Sequence, residues 1–318
     1  MPEVVDTCPV CAGRSFSVVE QLPDERLRMT YEACEGCGLV LMNPRPTADE
    51  LSAYYRQEYW GERTSESYKQ AHWAERKATD VAAQRRKQAN RATHIGKLLR
   101  TMLSNAGHQV AGVRTLLEIG SSFGETLRHL GHLVESEGGR PQLFAIEPND
   151  KAREAAADAY ERIEVIGRDI ADLRSESRTF DLILLSHVLE HLSQPVRALE
   201  GVRERLGERG LFYVEVPNYY GHPSVEFGHN FCFTPSSLRN TLTAAGFQVI
   251  EHAVTGYQED FPFYVAALAA PAASGSQEVL PETVDVVRRG RASAMADFRE
   301  MRGSSPRPAF LATQWRKH

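Results

Sequence analysis

The sequence predicts an α/β protein: a doubly wound sheet of seven strands, preceded by a cysteine-bearing module and a helical linker. Three observations predict it. From Arg114 onward, short apolar runs alternate with helix-like segments, the pattern of a mostly parallel sheet covered by helices. Within that alternation Leu182–Leu185 is continuously apolar, as a strand buried on both faces requires. Ahead of it stand two C-x2-C pairs, Cys8/Cys11 and Cys34/Cys37, with 22 residues between them.

The chain of 318 residues has room for about two domains. With 42% hydrophobic and 25% charged residues it is an ordinary globular mixture. A formal net charge of -5 argues against a phosphate-coated partner, so nucleic acid is not the expected partner. No basic, then apolar, then small-residue pattern opens the chain. The apolar run 261–273 holds two prolines and is too short to cross a bilayer. A cytoplasmic protein without a membrane partner is therefore expected. Five cysteines in such a chain suggest a metal before disulfides.

In each C-x2-C pair two thiolates on a tight turn reach one ion, and two such knuckles complete a tetrahedral S4 shell suited to zinc. Gly13, Gly36 and Gly38 supply turn flexibility beside the sulfurs. Four protein ligands close the site, so Cys8, Cys11, Cys34 and Cys37 are expected to hold a structural Zn2+ in a ribbon over residues 1–45. Cys232 stands far away and reads as a small buried hydrophobe. Leu39–Met42 reads as a short strand stopped by Asn43-Pro-Arg-Pro46. Thr47 and Glu50 fit a capping box, and Tyr54, Tyr55, Tyr59 and Trp60 then cluster, most simply to pack the ribbon onto the next domain. Residues 46–109 form a polar, helix-prone linker or lid, in which Arg85, Arg86 and Lys87 read as a solvated helix face.

The core is expected over 110–268. Its strands are Thr115–Ile119, Leu143–Ile146, Ile163–Ile166, Phe180–Leu185 and Leu211–Val216, with an antiparallel edge pair near Phe247–Val254 and Phe261–Leu268. Helices are expected over Gly124–Val134, from Asp150 to about Tyr160, from Pro195 to a stop at Gly210, and from a Thr234 cap with Pro235 just inside. Residues 269–318 begin with a flexible composition and then offer a helix over Glu282–Arg302.

The loop Gly120-Ser121-Ser122-Phe123-Gly124 matches the G-x-S-x-G nucleophile elbow literally, yet it equally suits a turn that lets a cofactor approach the backbone. Ligands of open α/β sheets bind beyond the carboxyl ends of the strands. Those ends carry Glu118, Glu147, Asp169, Ser186 and His187. Carboxylates there suit ribose hydroxyls and an amino group, for which a hydrolase has no use. The loop also lacks the last glycine of the G-x-G-x-x-G dinucleotide pattern.

The stretches "LLEIGSSFGET", "FAIEPN", "GRDIADL" and "FDLILLSHVLEHLSQPVRALEGVRERLGERGLFYVEVPN" together resemble the class I S-adenosylmethionine-dependent methyltransferases. The resemblance covers roughly residues 110–268 and implies a Rossmann-like fold that binds S-adenosyl-L-methionine. It implies that Glu118, Gly120, Ser122 and Gly124 cradle the methionine part, Glu147 the ribose, Asp169 and Ile170 the adenine, and that Ser186 borders the methionine end. Ser122 stands where the family's loop usually has glycine. The cysteine ribbon followed by "GLVLMNPRP" is similar to a subgroup acting in natural-product pathways, including deoxysugar C-methylation. In that subgroup a histidine before an aromatic-Phe-Ser/Thr run serves as base. "GHNFCFT" places His229 there, with Gly228 in place of the subgroup's glutamate and Cys232 in place of its aromatic. The larger sugar enzymes carry a second C-terminal α/β domain, for which the 50 residues after 268 are too few.

A small-molecule acceptor is therefore the leading expectation, with His229 as first choice of base and His187 as second. The Glu190-His191 pair reads as a turn-holding element, and Tyr219, Tyr220 and His222 as acceptor contacts. Two other readings remain: a zinc-ribbon RNA methyltransferase, and a non-catalytic zinc-ribbon interaction protein with a cofactor-binding core.

Overall fold

The computed structural model describes residues 2–22, 29–47, 49–50, 81–150, 152–154, 162–222, 228–256, 262–273 and 278–304. The tyrosine–tryptophan cluster at 54–60, most of the helix expected up to Tyr160 and the tail after 304 lie outside these residues.

Three antiparallel strands open the chain: β1 (Phe16–Leu22), β2 (Met29–Cys34) and β3 (Val40–Met42). Thr47 and Glu50 form the expected capping box, with Thr47 N–H donating to Glu50 Oε2 at 2.8 Å and Glu50 N–H donating to Thr47 Oγ1 at 3.3 Å. The long helix α1 (Val81–Asn105) follows. Then come β4 (Thr115–Ile119), α2 (Glu125–Ser136), β5 (Gln142–Ile146), β6 (Ile163–Gly167), β7 (Phe180–Ser186), α3 (Pro195–Glu204) and β8 (Leu206–Pro217). The chain continues with the two-residue strand β9 (Phe231–Cys232), α4 (Pro235–Ala244), β10 (Phe247–Thr255), β11 (Tyr264–Pro271) and α5 (Val284–Ser304).

The main sheet has seven strands in the order β10-β11-β8-β7-β4-β5-β6. Strands β6, β5, β4, β7 and β8 are parallel, while β11 and β10 add an antiparallel edge pair, as expected. The chain leaves β4 toward β5 and β6 and returns on the other side with β7. The order therefore reverses between β4 and β7, and in open α/β sheets the ligand crevice lies at the carboxyl ends of the strands at such a reversal. The alternation within β7 explains its unbroken apolar run. Leu182 and Leu184 join the core under α1 and α2, with Ile95, Leu99, Leu127 and Leu130. Ile183 and Leu185 join the core under α3 and α4, with Leu199, Val202, Leu238 and Leu242.

Two expectations need correction. Gly210 does not end α3; the helix stops at Glu204, and Gly210 lies within β8. The β7–β8 register jumps from Phe180↔Leu206 to Leu182↔Leu211, and a Cβ on Gly210 would lie 2.7 Å from Phe180 O, so glycine fills a bulge rather than a helix end. Nor is the basic run wholly solvated. Arg86 and Lys87 are exposed, but Arg85 Nε reaches Glu125 Oε1 at 3.1 Å and ties α1 to α2.

The ribbon sheet takes its fourth strand from the core: β9 pairs with β3 through Val40↔Cys232 and Leu41↔Phe231. Cys232 is buried, as expected, in a cluster with Tyr31, Val40, Tyr219, Val284 and Val287. Through the last two residues α5 docks on the same cluster.

Candidate functional site

At the end of β4 the chain turns through three left-handed residues, Gly120 (φ 77°), Ser122 (φ 49°) and Gly124 (φ 75°). A Cβ on Gly120 would lie 2.4 Å from Val188 Cγ2, so this position requires glycine on both counts. Gly124 caps α2. The Ser122 hydroxyl accepts from Gln88 Nε2 of α1 at 2.8 Å, an amide that cannot act as the base a nucleophile elbow requires.

The Ser122 N–H donates to Glu147 Oε2 at 2.6 Å, and the Asn149 N–H donates to Glu147 Oε1 at 2.9 Å. The carboxylate that ends β5 thus organises the loop that ends β4, while each oxygen keeps a further lone pair. Burial raises the Glu147 carboxyl above its usual range. Asp169 lies exposed after β6 and accepts from Ala171 N–H at 2.9 Å, capping the 3-10 turn Ile170–Arg174. Ile170 is half-buried against the core.

Glu118 on β4 is buried, with burial pushing its carboxyl up to about 8 and the neighbouring Glu147 adding to the rise. The folded state therefore keeps a proton that the unfolded chain releases near the ordinary carboxylate value. The sign follows: Glu118's contribution to stability falls as pH rises from about 4.5 to about 8, and levels off above. Glu118→Gln keeps the shape without the charge. It is expected to raise the melting temperature relative to wild type at pH 8 and not at pH 4.5. The gain is up to a few kcal/mol, since each tenfold difference in proton affinity between folded and unfolded chain is worth about 1.4 kcal/mol. Parallel melting curves at both pH values would contradict the burial of an ionisable group there.

At the end of β7, Ser186 Oγ is buried, as are Glu118 Oε2 and Ser121 Oγ beside the β4 loop; none of the three atoms has a hydrogen-bond partner among the described residues. His187 follows in a left-handed conformation (φ 55°). Its N–H donates to Glu215 O at 2.8 Å, and its Nε2 lies 3.2 Å from Glu215 Oε1. Glu215 is fully buried on β8 and also accepts from Tyr213 Oη at 3.1 Å. The His187 ring stands edge-on to Tyr264, 4.9 Å between centroids. His229 comes from the loop after β8, is 8% exposed, and stacks edge-on to His191 at 4.9 Å.

His229 lines a pocket with Tyr219, His222, Pro217, Cys232 and Arg291. The structure thus brings together three of the residues expected at the acceptor. Tyr220, expected with them, instead turns its hydroxyl to Glu282 Oε1 at 3.3 Å. Two residues went unforeseen. Glu215 could have been noticed as an acid between Val214 and Val216 in an apolar strand. Arg291 on α5 carries no local signal; it donates to Tyr219 O at 2.6 Å, lies 3.3 Å from Glu20 and covers the Tyr219 ring at 4.6 Å.

The four ribbon cysteines converge. Cys8 and Cys37 sulfurs lie 3.6 Å apart, Cys11 and Cys34 sulfurs 3.4 Å apart, and all four lie within 4.8 Å of one another. Sulfurs about 2.3 Å from one tetrahedral ion are about 3.8 Å apart, so the cluster has the dimensions of a zinc shell. Within the cluster the four sulfurs compete: thiol donors Cys37 and Cys8 drive Cys34 toward thiolate, and the contact with Cys34 pushes both of them up. A divalent cation removes that conflict. Cβ atoms at Gly13 and Gly36 would come within 3.2–3.3 Å of Cys11 Sγ, so small residues leave room for the sulfurs.

A family model described as a methyltransferase domain matches residues 72–252. No curated relative matches the chain. Among solved structures the chain is similar to an S-adenosylmethionine-dependent methyltransferase from Clostridium acetobutylicum, at 12% identity over 55% of this chain and 89% of that one, with a TM-score of 0.44. It is similar to the CcbJ methyltransferase from Streptomyces caelestis at 15% identity over 56% and 90%, with a TM-score of 0.44. It is also similar to the glycopeptide N-methyltransferase MtfA complexed with S-adenosylmethionine, at 16% identity over 50% and 82%, with a TM-score of 0.41. The family match spans more than half of the 318 residues and falls on the doubly wound sheet, and so the chain belongs to the methyltransferase-domain family.

Proposed function

We propose that this chain transfers a methyl group from S-adenosyl-L-methionine to a small-molecule acceptor of the natural-product or sugar-like kind. The observation that carries the reading is the set of buried polar atoms around the crevice that no described residue satisfies: Glu118 Oε2, Ser121 Oγ and Ser186 Oγ, beside a loop of three left-handed residues. Such atoms are costly unless a ligand satisfies them. In this reading Glu118, Gly120, Ser122 and Gly124 hold the methionine part, Glu147 the ribose, Asp169 and Ile170 the adenine, and Ser186 the methionine end. The zinc of Cys8, Cys11, Cys34 and Cys37 is structural. The net charge of -5 favours a small acceptor over RNA.

S-adenosylmethionine supplies a methyl group on a sulfonium, and the carbon–sulfur electron pair leaves with the sulfur as the acceptor atom attacks in line. This chain's residues align the two partners and take the acceptor's proton. His229 lines the pocket with Tyr219 and His222 and is the first proton acceptor to test. His187, oriented by Glu215, is the second.

The test is mass spectrometry of cell-extract metabolites incubated with the protein and S-adenosylmethionine. One acceptor is expected to gain the mass of a CH2 group. Cofactor binding with no acceptor gaining mass would instead favour the non-catalytic interaction protein.

A further inference from the structure

The geometry points to a second metal site, for a divalent transition cation, formed by Glu190, His191 and His229 beside the small pocket that His229 lines. One ligand atom from each of the three lies within 4.8 Å of the others. Glu190 is 1% exposed and His229 8%, while His191 is half-buried. Glu190 Oε1 lies 3.7 Å from His191 Nε2. That is too long for a hydrogen bond. It is close to the ~3.4 Å expected of two ligand atoms each about 2.1 Å from one tetrahedral ion.

The tautomer also fits. His191 Nδ1 lies 2.9 Å from Gly228 O, and a carbonyl only accepts, so Nδ1 carries the proton and Nε2 presents its lone pair toward Glu190. A ring nitrogen held by a backbone carbonyl is the usual outer support of a metal-binding histidine. The same loop is held twice more. Asn230 Nδ2 donates to His191 O at 2.9 Å, and Met42 N–H of the ribbon donates to Asn230 O at 2.9 Å. His229 is thus presented to His191 by a backbone anchored on both sides.

Two imidazoles and one carboxylate suit zinc, cobalt, manganese or ferrous iron better than magnesium or calcium. Three protein ligands leave a position open, unlike the closed S4 ribbon. An acceptor oxygen at that position would be polarised by the cation. With the His229 lone pair on the ion, proton removal passes to His187, whose Nδ1 lies 3.7 Å from the same Glu190 oxygen and whose Nε2 is on Glu215. The oxygen's electron pair then forms the bond to the methyl carbon, the carbon–sulfur pair leaves with sulfur, and His187 holds the proton. This role of the ion rests on the methyl-transfer reading; cation binding itself does not.

The test is a Co2+ titration of the full-length protein with its ribbon zinc-loaded, followed by visible absorption, in the absence of cofactor and acceptor. One Co2+ per chain is expected, with weak d–d bands and no intense thiolate-to-cobalt band. Glu190→Gln, which preserves volume, should weaken Co2+ binding at least about 10-fold, and His191→Ala should abolish it. No cobalt binding, binding only with thiolate bands, or binding unchanged in Glu190→Gln would overturn the site. Since no transfer is measured, a negative result leaves the proposed methyl transfer standing.

Discussion

Cys37→Ser is expected to release the ribbon metal and unfold the N-terminal module. In small zinc domains the metal's binding energy is folding energy, about 10–16 kcal/mol in peptide systems, so losing one of four thiolates costs far more than an ordinary point change of about 1 kcal/mol. The damage should also travel. Cys37 packs in one core with Leu39, Leu41, Phe231 and Phe233, and β3 pairs with β9 immediately after His229 and Asn230. Loss of the ribbon therefore removes the support of the segment that carries His229. Metal analysis should find one zinc per chain fewer in the variant than in the wild type, both purified without added metal. Thermal melting should show an early transition in the variant. Unchanged melting with no metal in either protein would contradict the zinc site.

The other large effect is expected at His229. His229→Ala should lower turnover by about two orders of magnitude or more, whether the ring takes the proton itself or holds a cation beside the acceptor, while leaving S-adenosylmethionine affinity nearly unchanged. His229 lies past β8, in the pocket with Tyr219 and His222, whereas Glu147 follows β5 and organises the glycine loop. Glu147→Ala should do the reverse and weaken cofactor binding first, because it removes both the expected ribose contact and the carboxylate that receives Ser122 N–H and Asn149 N–H. Steady-state kinetics on an identified acceptor, paired with cofactor titrations, separates the two. If turnover survives His229→Ala, the proton passes to His187 or the acceptor needs no base.

The parallel sheet was legible because its central strands β4 and β7 are buried on both faces. Leu182–Leu185 and Leu116–Ile119 have no polar interruption except Glu118, which is itself buried. The cysteine cluster was legible because two C-x2-C turns leave few ways to arrange four sulfurs. That Glu118, Glu147 and Ser186 lie at or beside the carboxyl ends of β4, β5 and β7 followed from the strand pattern alone. What was not legible arose from contacts distant in sequence. Two residues cannot announce a strand, and β9 exists only because Val40 and Leu41 pair with it. Gly210 read as a helix stop because a bulge in β8 uses the same residue for a different reason. Tyr219 and Tyr220 are adjacent in sequence, yet one reaches the pocket and the other Glu282, a choice made by the turn at Asn218, whose Oδ1 accepts from Tyr220 N–H at 3.1 Å. Arg291 enters the pocket wall from α5, which docks through Val284 and Val287 on the ribbon cluster.

The most direct test of the central claim is calorimetric titration of S-adenosylmethionine into the zinc-loaded protein. One cofactor per chain is expected to bind, with affinity that rises as pH approaches about 8, because the cationic methionine end favours the ionised form of Glu118, and with binding strongly weakened in Glu147→Ala. Absence of binding at millimolar cofactor, or binding that ignores Glu147, would contradict the assignment of this crevice to methyl transfer.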